Sequence, residues 1–174
     1  MDGTNNGLEV QTPQQEKKDT SMLTPAQRRA GLYTVFLMLV LLGYFLYLQV
    51  SDSGFFTEAF KLPEMLALYM PILVSMVPPI QRFIQGRRDS GIAMEAVTDF
   101  SLAIGSLVLF IVFPFNFSHL ADPLPANMQF LFSWINNTVG KVVLLLQVII
   151  GTLSGIARTR DYYRLRRKDE PIQG

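Results

Sequence analysis

The sequence predicts an all-α membrane protein: a four-transmembrane-helix bundle with both termini cytoplasmic, a kinked second helix and a short interfacial helix before the fourth. Two observations carry the prediction. Residues 30–51, 65–81, 100–121 and 142–157 hold no Asp, Glu, Lys or Arg, and about 20 apolar residues cross the roughly 30 Å of a bilayer's hydrocarbon. Of the 15 lysines and arginines, all but Lys61 and Lys141 fall on one side of these segments. They form three groups: Lys17, Lys18, Arg28 and Arg29; then Arg82, Arg87 and Arg88; then Arg158, Arg160, Arg164, Arg166, Arg167 and Lys168. The opposite loops carry Asp52, Glu58, Lys61, His119 and Asp122. Cationic loops stay inside, so the chain is placed in a bacterial or archaeal cytoplasmic membrane with both termini on the cytoplasmic side. A soluble bundle would show a polar face on each helix, whereas residues 37–42 are apolar all round.

Hydrophobic residues make up 49% of the 174, so crossing the bilayer uses most of the chain and no separate soluble domain is expected. Residues 1–24 read as a disordered cytoplasmic tail, 25–158 as the membrane domain with spans at 30–50, 63–81, 97–117 and 139–157, and 159–174 as a basic cytoplasmic tail. The first apolar run is longer than the about 7–15 residues of a cleavable signal. There is no cysteine and one histidine, His119, which excludes disulfides, thiolate metal sites and bis-histidine haem. No cofactor, metal site or nucleic-acid partner is expected.

Each element has a local cause. Thr24-Pro25-Ala26-Gln27 is a capping box with proline at the first helical position, so the first helix should start at Pro25 and run to about Val50. Ser51-Asp52-Ser53-Gly54 is a turn. The second span starts near Pro63, with Glu64 favoured by the helix dipole. Pro71, Pro78 and Pro79 interrupt it, which predicts a kink at Met70–Pro71 and a break near Val77–Pro78. A basic amphipathic turn at residues 80–84 follows. The third helix should start at Ser90 or Gly91, with Glu95 and Asp99 one turn apart and within reach of Arg87 and Arg88. It should end at Pro114, within the aromatic group Phe113, Phe115 and Phe117. Residues 127–135, with Phe130 and Trp134 one turn apart, read as a helix on the outer surface. Asn136-Asn137-Thr138 turns the corner into the fourth span.

Three features are candidates for function. Gly140, Gln147, Gly151 and Gly155 share one face of the fourth helix, with Ser154 adjacent, and Gly151 to Gly155 is a GxxxG motif. Such a face packs within the chain, most simply on Ser101 and Gly105, or forms a seam with another chain. The prolines of the second span either bend a packing helix or open a solute site, for which only Ser75 and Tyr69 offer polar support. The tail from Arg158 to Lys168 suits an anionic leaflet. Lys141 lies near enough to the outer corner to snorkel to headgroups, and His119 reads as a solvated loop residue.

No nucleophile–base set, paired carboxylates or metal-ligand cluster is recognisable, so the chain is not expected to be an enzyme. The leading expectation is a non-enzymatic accessory, assembly or scaffold subunit that acts through helix–helix contacts with a membrane-protein partner or a second copy. The alternative is a small oligomeric transporter or pore, a lysis-type pore included.

Overall fold

The computed structural model describes residues 22–86 and 91–169. Residues 1–21 of the expected N-terminal tail, Arg87, Arg88, Ser90 and the last five residues lie outside them, as do the side chains of Arg28, Arg166, Arg167 and Lys168. Leu23, inside that expected tail, donates its N–H to the Gly86 carbonyl at 3.0 Å. Helix accounts for 75% of the fold, and no strand occurs among the described residues, as the all-α prediction requires. Four helices are long and apolar enough to cross a membrane: Pro25–Val50, Leu62–Gln85, Ile92–Val112 and Asn137–Arg164.

Helix α1 (Pro25–Val50) starts at the capping box read from the sequence. The Gln27 amide N–H donates to Thr24 Oγ1 at 3.4 Å, and Gln27 Oε1 accepts from the Thr24 N–H at 3.1 Å. At the other end, Ser51 and Ser53 both donate to the Leu48 carbonyl, a group that the helix terminus leaves unpaired.

The second span is two helices. Helix α2 (Leu62–Ser75) runs through Pro71, and α3 (Val77–Gln85) starts after Met76. Pro78 and Pro79 sit in the first turn of α3, where a missing N–H costs nothing. The interruption thus falls one residue ahead of the expected break, and residues 80–84 form helix rather than an isolated turn. Glu64 is buried and accepts from the Lys61 N–H at 3.0 Å. Gly86 stops α3 in the left-handed conformation at φ 64°, which glycine adopts without strain.

Helix α4 (Ile92–Val112) begins after Gly91, at φ 99°, and ends at Phe113, at φ 44°. Phe113 is a bulky residue in the left-handed region, one position before buried Pro114. Helix α5 is one continuous element, Asn137–Asp169. The expected tail from residue 159 is therefore helical to Asp169 and extends the fourth span.

The outer-surface helix expected at residues 127–135 is not formed. The structure has two 3₁₀ turns in this loop instead, Phe117–His119 and Gln129–Leu131. The physical reason is length, because isolated helices shorter than about 12–15 residues are marginal. Trp134 instead ties its indole N–H to the Leu131 carbonyl at 2.8 Å.

The best-buried residues gather at the end of the bundle away from the arginines. Leu48, Phe55, Leu109, Phe115, Leu120 and Leu144 form one cluster, and Phe55 and Leu48 are each 1% exposed. Residues 55–57 pair with residues 114–116 through Thr57 N–H to Pro114 O at 3.0 Å and Asn116 N–H to Phe55 O at 2.7 Å. Around that pairing, Phe56 stacks on Phe60 with centroids 4.0 Å apart, and Phe55 meets Phe117 edge-on at 5.3 Å. Lys141 Nζ lies 4.7 Å from the Phe113 ring centroid, a cation–π contact at this same aromatic end. His119 pairs with Asp122 at 2.7 Å and lies against Gly54, so it belongs to the folded loop.

Candidate functional site

At the opposite, basic end the helices leave a cavity of about 550 Å³. Its charged lining is four side chains from three helices. Glu95 on α4 is shared by Arg82 of α3 and Arg158 of α5. Asp99, one turn along α4, pairs with Arg158 Nε at 2.8 Å. The carboxylates are the deeper groups, with side chains 12% and 17% exposed, while Arg82 and Arg158 are 35% and 38% exposed. Spacing explains the arrangement: residues 95 and 99 share a helix face, and the face-sharing carboxylates receive a guanidinium from each side.

Arg82 and Arg158 hold the carboxylates; the expected partners Arg87 and Arg88 lie outside the described residues. Arg158 is accordingly engaged inside the bundle and leaves the group expected on anionic lipid, because its guanidinium is already committed to Glu95 and Asp99. Arg160 and Arg164 are exposed on the extension of α5. The sequence carried one signal for the quartet that side-counting of charge does not use: Arg82, Glu95, Asp99 and Arg158 all flank spans at the same end.

The small-residue face of α5 is used within the chain. An ideal Cβ at Gly151 would stand 2.8 Å from the Asp99 carbonyl oxygen and 3.2 Å from Ala103 Cβ. At Gly155 it would stand 3.0 Å from the Phe100 ring, and at Gly140 it would run into the Phe117 ring. Gln147 accepts from Ser106 Oγ at 3.1 Å. Gly105, expected to receive this face, points to α2 instead, against the Ala67 carbonyl and 2.8 Å, for an added Cβ, from Pro71 Cγ. Ser101 and Ser154 are half-buried. The seam partners of α5 are thus Asp99, Phe100, Ala103 and Ser106.

A prediction follows for this seam. Gly151→Ile should lower the thermal stability of the isolated chain by about 1–3 kcal/mol through overpacking, and Gln147→Leu by about 0.6 kcal/mol. Unfolding in mild detergent, read beside oligomeric state, checks it. Loss of association with unchanged monomer stability would place this face between chains.

The prolines of the second span contribute to the cavity wall. Pro78 and Pro79 line it with Ser75, while α1 supplies Gln27, Ala30, Gly31 and Thr34. Gly31 faces Pro79 of α3, from which an added Cβ would lie at an ordinary contact distance of 3.6 Å. Tyr69 is committed elsewhere, donating to Gln49 Oε1 at 2.7 Å. No group of three or more His, Cys, Asp or Glu side chains able to hold a metal ion occurs among the described residues. The chain matches no known family model, no curated protein and no solved structure, so a functional reading has to start from this cavity and its charges.

Proposed function

We propose that the chain is a non-enzymatic, four-span integral membrane protein whose basic end faces the cytoplasm, and that it works by binding a small ligand in the cavity at that end. This is the arrangement of a small transporter open to one side. The observation that carries it is the make-up of the cavity wall, which takes residues from each of the five helices. A volume of about 550 Å³ lies within the roughly 300–1,000 Å³ of small-molecule sites. The aromatic cluster closes the other end. The excess of Lys and Arg around the basic end supports its cytoplasmic placement, and apolar side chains such as Phe36, Ile104, Ile111 and Leu153 are exposed along the spans, as lipid-facing residues are.

The accessory-subunit reading keeps one observation of its own, the extension of α5 to Asp169 beyond the span, which offers a partner a charged helix. It no longer draws on the glycine face, which the chain occupies itself.

Because the chain has no cysteine, single introduced thiols test both orientation and access. Thr34→Cys, in the cavity wall, should react with a membrane-impermeant maleimide from the cytoplasmic side only, and Ser53→Cys and Ser118→Cys from the outer side only. An unreactive Thr34→Cys would remove the ligand-cavity reading. Labelling of Ser53→Cys from the cytoplasmic side would invert the topology.

A further inference from the structure

The loop between α4 and α5 leaves an apolar patch at the end of the bundle away from the arginines. Residues 123–140 hold no Asp, Glu, Lys or Arg, and this uncharged run leads directly into α5 at Asn137. Part of the loop is folded inward. Phe132 and Ile135 pack against the buried cluster, and Phe132 stacks on Tyr44 with centroids 6.1 Å apart. Met128, Phe130, Leu131 and Trp134 are left uncovered, between 47% and 67% exposed. A grouped apolar surface of this kind marks contact with a membrane or with a protein.

The polar groups of the loop favour the membrane. Trp134 gives its indole N–H to the Leu131 carbonyl at 2.8 Å, and Ser133 its hydroxyl to the Phe130 carbonyl at 3.1 Å. Gln129 gives its side-chain amide to the Leu124 carbonyl at 3.2 Å. The backbone N–H groups of Met128, Leu131, Phe132, Ser133 and Ile135 also end on carbonyls of the loop. In water such donors need no protein acceptor, whereas in a lipid environment each unpaired one is costly. Area argues against a second copy, since a stable interface needs about 800 Å² per partner. Four side chains about half exposed supply less, even at the about 250 Å² of the largest aromatics.

We infer that residues 123–136 form an anchor in the outer headgroup region, with the four uncovered side chains at the edge of the acyl chains. This rests on the four-span reading above and is independent of the cavity. Aromatic rings suit that depth. The uncharged run also joins the loop to the apolar surface of α5, where Leu145, Leu146 and Ile149 are exposed. The anchor sets the depth of the aromatic end of the bundle, as the arginines do at the basic end.

Trp134 is the one tryptophan of the chain, so tryptophan fluorescence reports on this loop alone. The full chain is reconstituted in phosphatidylcholine vesicles and quenched in two ways. One quencher is acrylamide present on both sides; the other is phosphatidylcholine brominated either high in the acyl chain or near its end. The ring should lie about 10–15 Å from the bilayer centre, at the edge of about 30 Å of hydrocarbon. Lipid brominated high in the chain should therefore quench more strongly than lipid brominated near its end. Acrylamide should quench several-fold less than in the denaturant-unfolded chain. Phe130→Glu should raise acrylamide quenching and lower bromine quenching, with thermal unfolding unchanged, because Phe130 is exposed. If that variant fails to fold, quenching of the native chain decides alone. Strong acrylamide quenching without bromine quenching overturns the inference by placing the loop in water. Weak quenching by both overturns it in favour of a protein cover, and stronger quenching by the deeper bromines overturns the interfacial depth. Outer-only labelling of Ser53→Cys and Ser118→Cys beside any of these results would leave the four-span reading standing. Labelling of Ser118→Cys from the cytoplasmic side would overturn that reading's topology and the outer placement together.

Discussion

Gly105→Ala should be among the most damaging single-methyl changes in this protein, costing about 2–3 kcal/mol and lowering the unfolding midpoint by roughly 6–10 °C for a chain of this size. The cause starts with Pro71. A proline inside a helix has no N–H to give to the carbonyl four residues back, which here is that of Ala67. Gly105 of α4 is seated on that carbonyl, and an added Cβ would also come within 2.8 Å of Pro71 Cγ. Two backbones that approach this closely can exchange a weak Cα–H···O contact, and neither can swing aside as a side-chain tip would. Ile104, the next residue, is 64% exposed, so Ile104→Ala should be nearly silent. Thermal unfolding of both variants in mild detergent is the measurement. A Gly105→Ala midpoint no lower than that of Ile104→Ala would mean that α2 and α4 are not in this close contact.

Glu95→Ala should cost a similar amount, about 2 kcal/mol, for an electrostatic reason. The substitution leaves Arg82 and Arg158 facing one another without the carboxylate that both engage. Removing one partner of a fully buried pair costs about 3–5 kcal/mol, and solvent screening lowers that here, because both arginines are more than a third exposed. A double-mutant cycle separates repulsion from lost packing. Arg82→Ala in the Glu95→Ala background should recover part of the loss. No recovery, with a Glu95→Ala effect as small as that of exposed Glu58→Ala, would show that the quartet adds nothing to stability.

The sequence was most legible where a local rule decides. The Thr24 capping box sets a helix start through interactions a few residues apart, and the four apolar segments needed only counting. It was least legible where the choice of neighbour decides. Gly105 reads as a helix-packing residue from its type alone, but no periodicity says that Pro71 makes α2, not α5, its partner. Arg158 was grouped with the arginines that follow it, because side-counting treats charges on one face as equivalent. Its pairing with Glu95 and Asp99 depends on α5 lying beside α4. The buried Phe55 and Leu48 went unnoticed for the same reason: their burial comes from the pairing of two loops far apart in the chain.

The continuity of α5 has a mechanical consequence. Its 33 residues span about 50 Å at 1.5 Å per residue, some 20 Å more than the hydrocarbon it would cross. The helix is held along its length by Gly151 and Gly155 on α4 and by Arg158 on the carboxylates. From Arg158 to Asp169 there is neither glycine nor proline to bend it. That free arm is a lever about 16 Å long, with its fulcrum at the ion pairs beside the cavity. A tilt of about 10° there displaces the far end by about 3 Å. Any repacking of Glu95, Asp99 and Arg158 is therefore magnified at the tip of a stiff basic rod, where it can be read by whatever meets that tip.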